Sequence, residues 1–151
     1  MERLPYIDEG TRRISAPAEQ AWPGLVRTMA ALSGPLPQPL IAAWGLEPDR
    51  RRGGWETTVS VGDTIPGFGV VALEPRRSLV LRGAHRFSRY ELRFELTDSG
   101  PGSVLHAHTS AIFPGAAGAA YRALVIGTGG HRLAVRSLLA RVAREAANLR
   151  P

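Results

Sequence analysis

Between Ser88 and Thr97 the sequence SRYELRFELT alternates apolar and charged side chains at every second position. Successive side chains of a β-strand point to opposite faces, so the segment predicts a strand with one buried face and one wet face. Turn-forming sequences such as EPRR and TDSGPG separate it from similar runs. These short connections predict an antiparallel meander. The other candidate strands are Trp55–Val61, Phe68–Glu74, Ser78–His85 and Ser103–Phe113.

An antiparallel sheet with one apolar face needs a cover, and the C-terminal region offers one. From Ala119 to Leu149, apolar side chains recur at helical spacing and form a single face. Three glycines near the start of this pattern cost about 1 kcal/mol each relative to Ala, which predicts a bend or a break. We expect Val135 and Leu139 to be core residues and Arg144 to lie on the solvent side.

The N-terminal region predicts a strand followed by one or two short helices. Tyr6–Ile14 is strand-like, Ser15 can cap a helix, and Pro17 suits a first helical turn. Trp22 belongs to the helical pattern that follows, and we expect it to pack the helix onto the sheet. The sequence LIAAWGL predicts a second short helix within the segment Ser33–Gly54, whose role the sequence does not reveal.

Length and composition are those of one globular domain. The chain has 151 residues, 44% of them hydrophobic. No apolar run approaches the roughly 20 residues that a membrane-spanning helix needs. The first residues, MERLPYIDEG, lack the apolar centre of a signal peptide, so we expect a cytoplasmic protein. The absence of cysteine excludes disulfides, thiolate metal sites and thiol nucleophiles.

The net charge of +6 raises the question of a nucleic-acid partner. All 19 basic residues are Arg, and they are dispersed apart from the run Arg50–Arg52. Plentiful Arg, Ala, Gly and Pro fit a GC-rich genome as well as they fit phosphate binding. We therefore expect no specific nucleic-acid partner.

The order of these segments resembles the helix-grip fold of the START-like superfamily, also called SRPBCC. ISAPAEQAWPGL is similar to the passage from first strand to first helix in that family, and VGDTIPGFGVVALEPRRSLVLRG to its next signature. YRALVIGTGGHRLAVRSLLARV resembles the last helix of a bacterial subgroup. The resemblance spans roughly residues 6–147. It implies an α+β fold, with a curved antiparallel sheet wrapped around a long C-terminal helix.

The resemblance also implies a cavity that binds a small hydrophobic or amphipathic molecule. Members of the superfamily include lipid carriers, hormone receptors, and cyclases or aromatases of polyketide pathways. The fold alone does not choose among them. Ligand binding without catalysis is the first hypothesis, and a cyclase-, aromatase- or dehydratase-like enzyme using His131 with Tyr121 or Thr128 is the alternative.

Six polar or aromatic residues are candidates for lining such a cavity. His131 lies on the apolar face of the last helix, where an imidazole could hydrogen-bond a ligand or transfer a proton. Tyr121 and Thr128 share that face, and the strands add weaker candidates on their apolar sides. Core packing is the competing interpretation for each tyrosine. The strand candidates are Tyr90, Thr109 and His85.

No cofactor is expected, and a metal site is not favoured. His106 and His108 share one face of a strand, a spacing that could hold a metal. If Thr109 and its apolar neighbours face inward, however, both histidines face water, and no carboxylate is near them in sequence. The sequence leaves the oligomeric state open, a homodimer being one option.

Overall fold

The computed structural model describes residues 3–32, 37–55 and 58–148. These residues form an α+β fold in which helices cover one face of a six-stranded, curved antiparallel sheet. The elements in chain order are β1 (Tyr6–Ile14), α1 (Ala18–Ala31), α2 (Gln38–Trp44), β2 (Thr64–Ile65), β3 (Phe68–Glu74), β4 (Ser78–His85), β5 (Ser88–Ser99), β6 (Gly102–Ile112), α3 (Gly115–Val125) and α4 (Gly130–Asn148).

The sheet has the strand order β1-β6-β5-β4-β3-β2, with every neighbouring pair antiparallel. Strands β3 to β6 form the predicted meander, the short strand β2, which was not predicted, pairs with β3, and β1 closes the opposite edge by pairing with β6. In β5, Leu92, Phe94 and Leu96 are buried, while Arg93 on the opposite face is exposed. The alternation in the sequence therefore corresponds to a strand with one buried face and one exposed face.

Helices α1 and α4 cover the apolar face of the sheet. Leu139 is buried in the core that they share with the strands, and Val135 is almost as buried, whereas Arg144 is exposed, as predicted. The two helices approach closely at Gly24, where an added Cβ would lie 2.8 Å from the backbone nitrogen of Ala146. Only a glycine allows this backbone contact.

The start of α1 differs in one detail from the sequence prediction. The helix begins after Pro17, as expected, but Ser15 does not cap it. The backbone N–H of Ala18 instead donates to Asp98 Oδ1 at 2.8 Å, so the end of β5 supplies the cap. Trp22 is half-buried and packs against the core, which confirms its structural role.

Two other predicted elements have different outcomes. The helix predicted over Ala119–Leu149 consists of two helices, α3 and α4, and the break falls at the glycines as predicted; Leu149 lies outside the described residues. The described part of Trp55–Val61 forms no strand, only a bridge between Thr58 and Gly54, and residues 56 and 57 lie outside the described ranges. In the described ranges, no helix combines the length and the apolar character needed to span a membrane.

Candidate functional site: a cavity between the sheet and the C-terminal helices

A cavity of about 360 Å³ lies between the inner face of the sheet and helices α3 and α4. Most of its lining is apolar and comes from β5, β6, α3 and α4, together with Leu32 just after α1. Five of the six predicted residues contribute to the lining, and their chemistry differs from one to the next. They are His85, Tyr90, Thr109, Tyr121 and His131.

A larger groove of about 920 Å³ lies elsewhere, between the start of α1 and the β3–β4 turn. Its lining is mostly polar, and charges of opposite sign face each other across it. Arg76 lies 3.9 Å from Glu19, and Arg77 lies 3.8 Å from Glu74, all on exposed side chains. Exposed ion pairs of this kind contribute little free energy, whereas small-molecule sites are typically apolar cavities with a few polar groups. The apolar cavity is therefore the better candidate site.

His85 uses both of its ring nitrogens within the β4–β5 turn. The backbone N–H of Phe87 donates to Nδ1 at 3.1 Å, so the ring hydrogen belongs on Nε2, which lies 3.0 Å from Ser88 Oγ. Partial burial lowers the pKa of His85, which agrees with a neutral ring. His85 therefore holds the turn in place and has no free nitrogen for a ligand.

The two tyrosines of the cavity differ in the freedom of their hydroxyl groups. The hydroxyl of Tyr90 donates to the backbone oxygen of Gly67 at 2.7 Å, and burial raises the pKa of Tyr90 well above its usual range. Burial also raises the pKa of Tyr121, and its hydroxyl has no hydrogen-bond partner among the described residues. Tyr90 thus offers the cavity its ring, while Tyr121 offers a ring and a hydroxyl.

Aromatic rings gather around Tyr121, which lines the cavity. Tyr121 stacks on Phe87, with ring centroids 5.4 Å apart, and its ring edge meets His85 at 4.9 Å. Trp44 of α2 adds a fourth ring, 6.3 Å from Tyr121, and remains 41% exposed. Arg86 fastens α2 to the turn by donating to the backbone oxygen of Ala43. A planar apolar ligand would find faces and edges to stack on here.

His131 lies at the first turn of α4, beside a carboxylate that sequence reasoning missed. Its Nε2 atom is 3.1 Å from Thr109 Oγ1 and 3.2 Å from Asp8 Oδ1. The register of β1 explains the position of Asp8, because Asp8 pairs with Thr109 and Gly10 pairs with Ala107. Directly paired residues share a face of the sheet, so Asp8 faces the same side as Thr109. The irregularity in β1 lies before Asp8, and YIDEGTRRI has no apolar alternation that would indicate which side Asp8 faces.

Comparisons with known proteins concern the fold. No protein-family model matches the chain, and no curated protein matches its sequence. The crystal structure of Ara h 8.0201 matches with a TM-score of 0.60 at 9% identity, over 93% of this chain and 97% of that one. NE0264 from Nitrosomonas europaea matches with a TM-score of 0.59 at 13% identity, over 95% of each chain.

A third match is DynU16, a protein of the dynemicin biosynthetic locus, with a TM-score of 0.51 at 16% identity. The match covers 90% of this chain, which spans only 45% of DynU16. The chain therefore has the helix-grip fold that its sequence pattern suggested. At these identities the likeness concerns the fold alone, and function has to be argued from the residues of the cavity.

Thr128 does not join the other candidates of this helix-grip cavity. Its side chain is exposed, and its hydroxyl donates to the backbone oxygen of Leu124. The sequence argument placed Tyr121, Thr128 and His131 on one face because it assumed a continuous helix. The break between α3 and α4 removes that shared face, so the prediction for Thr128 is wrong.

His106 and His108 lie on the outer face of the sheet, as expected, with ring centroids 6.2 Å apart. Two carboxylates on neighbouring strands lie close to His108, which the sequence did not suggest. Glu9 Oε2 is 3.1 Å from His108 Nδ1, and Glu95 Oε2 is 3.8 Å from His108 Nε2. Even so, across the described ranges no group of three or more His, Asp or Glu side chains has the arrangement of a metal site.

Proposed function

We propose that this protein binds a small, mainly apolar or amphipathic molecule in the cavity under α3 and α4. The observation that carries this proposal is a space of about 360 Å³ whose lining is mostly apolar and aromatic, with few polar groups. Binding sites for small molecules in proteins have this size and this balance. The rings of Tyr121, Tyr90 and Phe113 in its lining favour a ligand with a planar, unsaturated part.

The hydrogen bonds inside the cavity support binding more than the catalytic alternative. Both nitrogens of His85 and the hydroxyl of Tyr90 are already engaged with the protein. The catalytic alternative paired His131 with Tyr121 or Thr128. Thr128 bonds to its own helix segment, so only the pairing with Tyr121 keeps both groups in the cavity. The remaining polar groups, on His131, Thr109 and Tyr121, suffice to orient a ligand.

The test fills the cavity with a side chain. Ala134 and Ala147 are both exposed on α4, but only Ala134 is among the residues that line the cavity. We expect the uncharged dye N-phenyl-1-naphthylamine to bind the parent protein with a rise in fluorescence. Ala134→Phe should weaken binding at least about fivefold, since steric overlap costs roughly 1 kcal/mol or more. Ala147→Phe adds the same ring outside the cavity and should bind as the parent does.

Two results would contradict the proposal. One is a parent protein that gives no saturable dye binding. The other is equal binding by Ala134→Phe and the parent, with both folded by circular dichroism, because the dye would then occupy another surface.

A further inference from the structure

We propose that His131 is the polar anchor of the cavity and accepts a hydrogen bond from a hydroxyl group of the ligand. Asp8 acts as the positioning residue that sets the hydrogen on the ring. The ligand class that this predicts is a planar apolar molecule with a phenolic or alcoholic hydroxyl. The inference rests on the proposed function, since it concerns the contents of the same cavity.

The first step is the environment of Asp8. Its side chain is only 14% exposed, and the Oδ1 atom is buried with no hydrogen-bond partner of good geometry among the described residues. Nε2 of His131 is 3.2 Å from that atom. The second oxygen, Oδ2, lies 4.0 Å from Nε of Arg132, whose side chain is 80% exposed. A buried carboxylate oxygen requires a nearby donor, and the imidazole is in place to supply one.

The second step is the position of the ring hydrogen. An ionised carboxylate can only accept hydrogen bonds, whereas a threonine hydroxyl can accept or donate. If Nε2 of His131 carried a lone pair, that lone pair would face the Asp8 oxygen and repel it. The favoured tautomer therefore has its hydrogen on Nε2, where Thr109 Oγ1 accepts it and its partial positive charge offsets the negative charge of Asp8 Oδ1, 3.2 Å from Nε2.

The third step identifies the atom of His131 that remains able to hydrogen-bond a ligand. With the hydrogen on Nε2, Nδ1 of His131 carries the lone pair and is a hydrogen-bond acceptor. Nδ1 has no partner among the described residues, and His131 lines the cavity. The imidazole of His85 and the hydroxyl of Tyr90 are engaged elsewhere. A ligand hydroxyl would therefore satisfy Nδ1, while the apolar body of the ligand fills the space beyond.

Three naphthalenes of nearly equal shape test this assignment. 2-Naphthol can donate a hydrogen bond, 2-methoxynaphthalene can only accept one, and 2-methylnaphthalene can do neither. We expect the parent protein to bind 2-naphthol about fivefold more tightly than the other two, because one net hydrogen bond contributes about 1 kcal/mol. In His131→Leu, and in His131→Phe as a second variant that keeps a ring, this preference should disappear.

Asp8→Asn separates positioning from simple structural support. The amide of asparagine can donate to Nε2, which would move the ring hydrogen to Nδ1 and turn the acceptor into a donor. The preference should then pass from 2-naphthol to 2-methoxynaphthalene, while 2-methylnaphthalene binds as before. His106→Leu makes the same chemical change on the outer face of the sheet and should keep the parental preference.

Each outcome bears on one of the two proposals. Binding of 2-methylnaphthalene tests the cavity itself, and its failure would count against the proposed function. Equal binding of all three compounds by the parent would overturn the anchor but leave the cavity. A uniform loss for all three compounds in folded Asp8→Asn, with the 2-naphthol preference intact, would show that Asp8 is only structural.

Discussion

Helix α4 has two halves that share one apolar face and differ in what that face meets. In the second half, Leu139, Val142 and Ala146 are buried against the sheet and α1. In the first half, His131 and Leu138 border the cavity. The sequence pattern is the same in both halves, so the pattern alone does not decide whether a position becomes core or site.

The difference lies in the neighbouring helix. The close contact at Gly24 brings α1 onto the second half of α4, but α1 ends at Ala31, and Leu32 just beyond it already lines the cavity. The first half of α4 is therefore left without a helix packed directly over it. After the break at the glycines, α3 contributes Tyr121 and Val125 to the lining of the cavity. The cavity therefore lies where α1 has ended and the C-terminal helix is interrupted.

The largest expected effect contrasts Leu139→Ala with Val135→Ala. Leu139 is 2% exposed in the packed half, so its truncation should lower the free energy of unfolding by about 2–4 kcal/mol. Val135 lines the existing cavity, and losing its two methyl groups should cost about 1–2 kcal/mol. Urea unfolding measures both. An equal loss of unfolding free energy in the two variants would contradict the distinction between a packed half and a cavity-lining half of α4.

A smaller effect on stability should appear in alkaline solution, and it involves Tyr90 in the cavity. Burial raises the pKa of Tyr90 above that of an unfolded chain, so the unfolded state loses its proton first as the pH rises. The stability that this provides is complete below about pH 10 and is lost above it. Tyr90→Phe should therefore lose less stability than the parent between pH 8 and pH 10.5, as measured by urea midpoints. Tyr6→Phe, at an exposed ring, is the control, and a parental pH dependence in Tyr90→Phe would refute the assignment.

The smallest effect on stability is expected on the solvent-exposed side of the second half of α4. Arg144 is exposed on the solvent side of α4, between turns that carry Val142 and Ala146 into the core. Arg144→Ala should change the free energy of unfolding by less than about 0.5 kcal/mol, since it touches no buried group. A loss above 1 kcal/mol in urea unfolding would mean that this side of the helix is covered.

Much of the fold could be predicted because its signals are local. The alternation in β5, the helical face around Leu139 and the start of α1 after Pro17 each depend on residues close in sequence. The strand expected from Trp55 did not form among the described residues. Trp55 and Val59 are buried without strand pairing, while Val61 is exposed, and Trp55 fills the core while donating to the Thr64 carbonyl at 3.0 Å.

The site could be predicted only in part, because its decisive partners are remote. His131 and Tyr121 were selected from a face predicted for one continuous helix, and both line the cavity even though the helix is broken between them, whereas Thr128 does not. Asp8 was missed because the sequence around it has no apolar alternation to mark its inward side, and because its strand partner Thr109 is remote in sequence. The carboxylates near His108 were missed for a similar reason, because they lie on neighbouring strands and are distant from it in sequence.

The cap of α1 by Asp98 has a consequence for the order in which this chain folds. Ala18 and Asp98 are 80 positions apart, so the first turn of α1 gains its side-chain acceptor only after β5 is in place. Closing so long a loop carries an entropic cost that a nascent helix cannot offset by itself. The meander of β3 to β6, by contrast, is joined by short turns and can assemble from local contacts. We infer that the sheet is the template and that α1 completes its N-terminus by docking on it, late in folding.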